Sequence, residues 1–261
     1  MKKILITGAR SGIIEEVIKK IKKKRYQIYV TVHTNSQLKA VEKKYKKYKN
    51  IKCFKLDITQ KEDRKLIENL DIDILINNAA IGEGGSIAEI DMNKVRYNYE
   101  VNVFSSFEIV QLVLRKMIEK NSGKIIIMSS LAGIYSPKFM GVYASTKASI
   151  IKLTTTLRKE LKLIHSNIKI VMIEPGFYHT GFNQVMFQNK YDWMDTDTYF
   201  EKCLDLIHKR EHFIEKYIEK KELDSITSKI VFAIKTKHPD FIYRAPFSQV
   251  LFSKLYQLFF E

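Results

Sequence analysis

The chain has 261 residues, of which 45% are hydrophobic and 28% are charged, with 10 glycines and 4 prolines. A chain of this length buries a sizeable core, and its composition excludes collagen-like, low-complexity and intrinsically disordered proteins. The two cysteines, Cys53 and Cys203, are too few for a disulfide framework, so a reducing, cytoplasmic setting is expected. No apolar run is long enough for a membrane-spanning helix, and the run at residues 4–6 is too short for a signal peptide.

The formal net charge of +16 raises the question of a nucleic-acid partner. The basic residues are 37 lysines and 8 arginines, whereas bidentate contacts to bases and phosphates favour arginine. The lysines also spread over the whole chain and are densest at residues 39–52. We therefore interpret the charge as a solvated surface and expect no nucleic-acid partner.

Short apolar segments alternate with helical patterns as far as residue 176. Strands are predicted at residues 3–6, 27–32, 51–56, 72–76, 124–129 and 168–173. An apolar stripe of Ile13, Val17 and Ile21 predicts the first helix, and further helices are predicted at residues 37–48, 63–70, 95–119 and 143–163. Strands that are apolar on both faces and separated by helices indicate a doubly wound α/β fold, a parallel sheet with helices on both faces.

The alternation changes after Gly176. Residues 182–194 mix aromatic residues and methionines with polar residues, and residues 197–220 and 223–235 are predicted to be helical. A last strand is predicted around residues 241–243, and a short apolar helix at residues 248–260. Since no linker separates this region, residues 1–261 are predicted to form a single domain. Residues 1–180 are its core, and residues 181–261 are a substrate lid and C-terminal extension.

A turn containing Gly8 and Gly12 directly follows the first predicted strand. Glycines at a strand-to-helix turn let the backbone approach a pyrophosphate, and the helix N-terminus supplies free N–H groups with a partial positive charge. At the first such junction of a doubly wound fold, this pattern favours a dinucleotide site over an ordinary turn.

Tyr143 and Lys147 lie one turn apart on a predicted helix, so their side chains share one face. A nearby ammonium can lower the pKa of a phenol from its usual value near 10 and suit it to acid–base catalysis. The same spacing begins at three other tyrosines in charged segments, where a solvated face is expected: Tyr45, Tyr48 and Tyr217. Only Tyr143 follows an apolar strand that ends in Ser129 and Ser130, at the edge where open α/β sheets bind ligands.

Six motifs in this order resemble the short-chain dehydrogenase/reductase family over residues 1 to about 180. They are Thr7-Gly8-x-x-x-Gly12, Asp57, Asn77-Asn78-Ala79, Asn102, Ser130 with Tyr143-x-x-x-Lys147, and Pro175-Gly176 with Thr180. The resemblance implies a Rossmann-type fold and an NAD(P)-dependent enzyme that acts on CH–OH groups, interconverting a ketone or aldehyde and its alcohol.

The resemblance also implies catalytic roles for four residues. Tyr143 would donate or accept the proton at the substrate oxygen, and Lys147 would lower the pKa of Tyr143 and bind the nicotinamide ribose. Ser130, rather than Ser129, would hydrogen-bond the carbonyl or alcohol. Asn102 would hold a water molecule that links Lys147 to solvent.

Further residues along the same sheet edge are implied to bind the cofactor. The pyrophosphate and the adenosine ribose would be lined by Gly8, Arg10, Ser11, Gly12 and Ile13. Asp57 and Ile58 would contact the adenine, and Asn78 and Ala79 would lie on the adenosine side. Thr180 would contact the carboxamide, beside Pro175 and Gly176. No metal is expected.

The end of the second predicted strand bears on the choice of cofactor. An NAD site usually carries an acidic residue there, and an NADP site a basic one. No acidic residue occurs in this segment before Glu42, whereas Arg10, His33 and Thr34 could face a 2′-phosphate. NADP(H) is therefore the preferred cofactor and NAD(H) the alternative, although His33 could equally be an ordinary strand-end residue.

Two positions depart from the family pattern. Ile14 replaces the third glycine of the turn, and Ala80 replaces the glycine that usually follows Asn-Asn-Ala. The third glycine lets the helix pack close to the strand, and a β-branched residue adds bulk there. The intact catalytic positions favour compensation by neighbouring residues. The alternative is a non-catalytic nucleotide-binding sensor or scaffold with the same fold.

The C-terminal third leaves several alternatives open. Residues 182–194 are predicted to form a lid over an apolar or amphipathic small molecule, with plain core packing as the alternative. The apolar helix at residues 248–260 could pack on the sheet, form a subunit interface or lie on a membrane surface, in that order of preference. The resemblance implies a homodimer or homotetramer. His179 could touch the substrate or cap its loop.

Overall fold

The computed structural model describes residues 1–23, 26–194 and 197–260, with residue 260 described by its backbone alone. Within these residues, all strands pair in parallel in one sheet of order β3-β2-β1-β4-β5-β6-β7. The strands are β1 (Lys2–Ile6), β2 (Tyr26–Val32), β3 (Ile51–Lys55), β4 (Ile74–Asn77), β5 (Lys124–Met128), β6 (Lys169–Pro175) and β7 (Ile242–Ala245). The strand order reverses between β1 and β4, which is where ligands bind in open α/β sheets.

The described α-helices connect and extend these strands. They are α1 (Gly12–Ile21), α2 (Asn35–Tyr45), α3 (Lys61–Glu68), α4 (Met92–Tyr99), α5 (Ser106–Glu119), α6 (Gly141–Leu163), α7 (Phe182–Met194), α8 (Leu204–Phe213), α9 (Asp224–Lys235) and α10 (Phe247–Phe260). None of them is long and apolar enough to cross a membrane.

The sheet has an apolar core on each face, which confirms the predicted doubly wound α/β class. Successive side chains of a strand point to opposite faces. Ile4 and Ile6 therefore join the core under α1, α2 and α9, whereas Leu5 joins the core under α3, α5 and α6. Strands with two buried faces need apolar residues at nearly every position, and this explains the continuous apolar runs in the sequence.

The predicted helix at residues 95–119 is interrupted in the structure. It begins earlier, as α4, and passes through a π-helical turn at Glu100–Ser105 before continuing as α5. Single π turns inside α-helices are often found at functional sites. The predicted helix at residues 197–220 also differs, because α8 is preceded by a 3₁₀ turn at Glu201–Cys203 and followed by a π turn at Ile214–Ile218.

Ile14, the residue that departs from the family pattern, lies in the first turn of α1 and is fully buried. It belongs to the apolar core between α1 and the sheet, together with Val17 and Ile18. The side chain therefore packs into the protein. Its bulk is accommodated by core neighbours.

Replacing Ile14→Ala is expected to lower the free energy of unfolding by about 2–5 kcal/mol, because it leaves a cavity in a packed core. Urea denaturation followed by circular dichroism measures the change. The matched control is Ile87→Ala at an exposed position, with an expected change within about 0.5 kcal/mol. Equal effects of the two substitutions would contradict the packing of Ile14 described here.

Candidate active site

A cleft of about 490 Å³ opens along the carboxyl ends of the central strands. Many of the residues singled out in the sequence line it together: Gly8, Arg10, Ser11, Ile13, His33, Asp57, Ile58, Asn78, Ala79, Ser130, Tyr143, Lys147, Pro175, Gly176 and Thr180. Three others do not line it, namely Gly12, Thr34 and Asn102. The cleft runs from the edge of β2 across the switch point to the start of α6.

The turn after β1 depends on Gly8. Its φ of +62° lies in the left-handed region, and a Cβ there would lie 2.7 Å from the Cα of Ala79. Only glycine fits such a position. The turn leads into α1, whose N-terminal N–H groups and partial positive charge favour an anion. Gly12 lies behind it, and a Cβ there would approach Thr180 to 3.2 Å.

Hydrogen bonds join the ends of β1 and β4 below this turn. The Thr7 hydroxyl accepts from the backbone N–H groups of Asn78 and Ala79, at 2.9 and 3.0 Å. The Asn78 side-chain amide donates back to the carbonyls of Thr7 and Gly8, at 3.1 and 2.8 Å. Asn78 therefore supports the Gly8 turn in addition to lining the cleft.

The far end of the cleft, beyond β2, carries basic and acidic groups together. His33 Nε2 lies 3.2 Å from a carboxylate oxygen of Asp57, and the other oxygen accepts hydrogen bonds from Thr59. Burial opposes ionisation of Asp57, but the bonds from Thr59 and the neighbouring His33 lower its pKa overall. This carboxylate is expected to be ionised and to hold His33 at the cleft.

Thr34 and Gln37 have different positions from those expected. The Thr34 hydroxyl caps α2 by accepting from the backbone N–H of Gln37, and the residue does not line the cleft. Gln37 does line it, beside Arg10 and His33. The sequence analysis missed Gln37. Gln37 lies three residues after the N-cap threonine, in the first turn of a helix that begins at the sheet edge. This position in the sequence could have identified Gln37 as a cleft residue.

Tyr143 and Lys147 are both buried at the start of α6. The Tyr143 hydroxyl is hydrogen-bonded to Ser130, and the Lys147 ammonium lies 5.6 Å from the centre of the Tyr143 ring. Lys147 donates to the carbonyl of Met128, at 3.0 Å. Ser129 instead donates to the carbonyl of Lys147, at 3.2 Å, so Ser130 is the serine that contacts Tyr143.

Burial moves the pKa values of these two residues in opposite directions. It raises the pKa of Tyr143 to about 12, with the hydrogen bond between Tyr143 and Ser130 acting to lower it, and it lowers the pKa of Lys147 to about 8. The expected lowering of the Tyr143 pKa by Lys147 is therefore not seen in this structure. The ammonium is bonded to a backbone carbonyl, and burial is the largest influence on the pKa of the phenol.

Asn102 lies in the π-helical turn, behind the cleft. Its side chain exchanges two hydrogen bonds with the backbone of Ile81, both at 2.9 Å, and donates to Thr146 on α6 at 3.1 Å. Asn102 therefore ties the segment after β4 to the helix that carries Tyr143 and Lys147. Its proposed role in holding a water molecule stays a prediction.

The segment after β6 forms the opposite wall of the cleft. His179 points onto Glu219, with His179 Nδ1 lying 2.9 Å from the buried carboxylate, and does not line the cleft. Asn183 and Gln184 donate to the same carboxylate, at 2.6 and 2.9 Å. His179 therefore holds this segment in place, which corresponds to the second of the two roles considered for it.

Helix α7 has the predicted bounds, and it both lines the cleft and packs in the core, whereas its role as a substrate lid stays a prediction. Phe182 lies 5.4 Å from the Tyr143 ring, centre to centre, and lines the cleft. Met186 and Phe187 are buried beside Tyr143. Lys190, also buried, forms an ion pair with Glu211 of α8. Other cleft residues that the sequence analysis missed include Ile81, Tyr135 and Met140.

Residues 2–191 match the family described as short chain dehydrogenase. Three relatives illustrate the match. The NADPH-dependent 3-dehydrocapnine reductase of Ornithobacterium rhinotracheale is 29% identical over 67% of this chain and 65% of its own length. The 3-ketodihydrosphingosine reductase of Bacteroides thetaiotaomicron is 27% identical over 96% of this chain and 90% of its own length. The NADP-dependent 3-hydroxy acid dehydrogenase of Schizosaccharomyces pombe is 32% identical over 71% of this chain and 75% of its own length.

The fold is similar to that of a short chain dehydrogenase/reductase from Burkholderia phymatum in complex with NAD, with a TM-score of 0.81. The identity is 19%, over 98% of this chain and 93% of the other. The family match covers the β1–α1 turn, the buried tyrosine and lysine of α6, and all of the residues that line the cleft, which run from Gly8 to Asn189. The chain therefore belongs to the short-chain dehydrogenase/reductase family of oxidoreductases.

Proposed function

We propose that the protein is an NADP(H)-dependent oxidoreductase that interconverts a ketone or aldehyde and the corresponding alcohol. The observation that carries this proposal is the buried Tyr143 hydroxyl, which is bonded to Ser130, lies beside Lys147 and faces the cleft. The Tyr143 and Ser130 hydroxyls can each donate one hydrogen bond to a substrate oxygen, once those bonds replace the ones they make within the protein.

The turn after β1 fits a dinucleotide. The absence of a side chain at Gly8 lets the turn pack against Ala79, and the N-terminal end of α1 follows it at the cleft, where Arg10, Ser11 and Ile13 line the wall. Gly8, Arg10, Ser11 and Ile13 would hold the pyrophosphate and ribose, and Thr180 the nicotinamide end. When bound, the cofactor supplies a hydride to the carbonyl carbon or accepts one from the alcohol carbon.

In the reductive direction, Tyr143 transfers its proton to the carbonyl oxygen, and the carbonyl becomes the alcohol. Because burial raises its pKa to about 12, this hydroxyl carries its proton throughout the neutral range. Ser130 donates a hydrogen bond to the same oxygen and orients it. Lys147, when protonated, stabilises the tyrosinate that remains after proton transfer.

The basic groups at the far end of the cleft support NADP(H) over NAD(H). Arg10 and His33 line this end, and they suit the 2′-phosphate of NADP(H). Two relatives are named as NADPH-dependent and NADP-dependent enzymes, in agreement with this choice. NAD(H) remains the alternative.

The substrate is proposed to be an apolar or amphipathic molecule with its oxygen at a 3-position. The catalytic end of the cleft is lined by Tyr135, Met140 and Phe182. The relatives are named for 3-dehydrocapnine, 3-ketodihydrosphingosine and 3-hydroxy acids, which share that position. The non-catalytic alternative depended on Ile14, which lies in the core.

Residues 1–180 are proposed to bind the cofactor and carry out catalysis, and residues 181–261 are proposed to cover the substrate.

A homodimer or homotetramer assembled through the long helices is proposed with this function. Exposed apolar residues in and beside α5 and α6 support it, namely Phe104, Ile118 and Leu153. A cytoplasmic location is also proposed, in agreement with the free thiols of Cys53 and Cys203.

NADPH is expected to raise the melting temperature of the purified protein by roughly 2–4 °C at about 100 times its Kd, since binding at that ratio stabilises the fold by about 2.7 kcal/mol. Arg10→Ala should weaken NADPH binding about tenfold, or about 1.4 kcal/mol, and weaken NADH binding by a smaller factor, since NADH shares the pyrophosphate but lacks the 2′-phosphate. Calorimetric titration measures both. The matched control, exposed Arg115→Ala on α5, should bind NADPH normally. No shift with NADPH or NADH would refute the proposed site.

Tyr143→Phe is expected to lower kcat about 10²–10⁴-fold, because it removes the proton donor while keeping the ring. The Kd for NADPH should change less than about threefold, since the ring stays packed against Phe182. Tyr217→Phe, an exposed tyrosine with the same spacing to a lysine, is the control for steady-state kinetics and should keep full activity. Activity retained by Tyr143→Phe would remove Tyr143 from the mechanism.

The rate of carbonyl reduction is expected to fall as pH rises through about 8. Lys147 has its pKa lowered to about 8 by burial, so above that pH it loses the charge that stabilises the tyrosinate. A pH profile of kcat/KM measures this, and Lys147→Met should lower the plateau and abolish the inflection. Lys221→Met, at an exposed position, should keep the inflection. A wild-type profile that is flat to pH 10 would contradict the assignment.

A further inference from the structure

Helix α10 packs on the protein with one face only. Ser253 is buried, and Gln249 reaches the segment after β6, where its Oε1 accepts from the Phe177 N–H at 2.7 Å. The Gln249 amide also donates to the carbonyl of Ile218, at 2.9 Å. These contacts attach the helix firmly beside the cleft and define its inner side.

The other face of α10 is apolar and exposed. Its side chains are between 46% and 81% exposed and recur at helical spacing: Phe247, Leu251, Phe252, Leu255, Leu258 and Phe259. The side chain of Phe260, which the sequence analysis counted in this helix, lies outside the described residues. A contiguous apolar stripe of this size is uncommon on a protein surface that faces only water.

This apolar face is continuous with the mouth of the cleft. Tyr135 lines the cleft, and its ring lies 6.2 Å from Phe252 and 5.6 Å from Tyr256, between ring centres. The apolar chain of a bound ligand that extends out of the catalytic end of the cleft beside Tyr135 would therefore contact α10. The apolar lining of the cleft and the exposed face of α10 thus form one continuous apolar surface.

The one ionisable cation on α10 is basic and is not paired with an acidic residue of the same helix. Residues 247–260 contain one lysine, Lys254, which is exposed, and no acidic residue. Arg210 acts electrostatically on Tyr135, and the segment around Ile218, whose carbonyl bonds to α10, carries three lysines and three glutamates at residues 215–222. The neighbouring carboxylate of Glu219 is buried against His179.

This charge distribution favours an anionic lipid surface over a second copy of the chain. A two-fold interface places the same patch on both subunits, so Lys254 would face a patch without acidic residues on α10. Anionic headgroups instead pair with basic residues that border an apolar helix face, and the net charge of +16 adds to that attraction.

We propose that the exposed face of α10 docks on an anionic lipid bilayer, and that the substrate is a lipid whose apolar chain stays in that bilayer while its carbonyl enters the cleft. The substrate part of this inference rests on the proposed function. The docking part rests on the exposed face of α10 and on the charge of the chain, and it does not depend on the proposed function.

The test compares two double variants at exposed leucines, so that neither removes core packing. Leu255→Gln with Leu258→Gln alters α10, and Leu66→Gln with Leu163→Gln makes the same change on α3 and α6. The unaltered full chain and both variants are sedimented with anionic vesicles, made of a mixture of phosphatidylglycerol and phosphatidylcholine, at low and high salt. Phosphatidylcholine vesicles serve as the uncharged comparison.

The full chain and the α3/α6 variant are expected to sediment with the anionic vesicles, less so at high salt. The α10 variant should bind them at least about tenfold more weakly, a difference of about 1.4 kcal/mol. Its kcat/KM should fall by about the same factor on a long-chain 3-keto lipid in vesicles and stay unchanged on a short water-soluble ketone.

Absence of vesicle binding by the full chain, or equal binding by both variants, would overturn the proposal. So would a dimer in sedimentation velocity that only the α10 variant disrupts, because a second copy would then cover the face. The NADPH-induced thermal shift, measured on the same three proteins, reports on the proposed function separately. Vesicle binding without that shift would refute the enzyme assignment and leave docking intact.

Discussion

The Thr7 hydroxyl accepts hydrogen bonds from two consecutive backbone N–H groups at the end of β4, and this contact joins the strands on either side of the switch point. With β1 and β4 held together, the Gly8 turn lies against Ala79 and α1 starts at a defined place. The connections that follow β1 and β4 run in opposite directions along the sheet, since the strand order reverses there. The cleft is the space left by that divergence.

Burial is what gives the Tyr143 and Lys147 pair its chemical character. In a polar, solvated setting, a phenol and an ammonium one helical turn apart would titrate close to their ordinary pKa values. In the cleft, desolvation stabilises the neutral form of both residues, so the phenol keeps its proton and the ammonium loses its proton more readily. Met128 and Ser130 provide hydrogen bonds that partly offset the loss of water.

The C-terminal third completes the cleft through a few buried polar contacts. Glu219 makes hydrogen bonds with His179, Asn183 and Gln184, so it joins the segment after β6 to the start of α7. Gln249 attaches α10 to the same segment. The wall beside Tyr143 is therefore built by residues distant from it in sequence. The same attachment leaves one face of α10 exposed.

The sequence by itself determined the fold class and most of the cleft. Short continuous apolar runs and the helical period of 3.6 residues both reflect burial. The strand ends of a parallel sheet must also share one edge, which brings Gly8, Asn78 and Ser130 together. Tertiary structure alone decided where Ile14 packs, which way His179 points and how far burial shifts the Tyr143 pKa. Those outcomes depend on contacts between segments far apart in the chain and on desolvation by the whole fold, which local spacing does not encode.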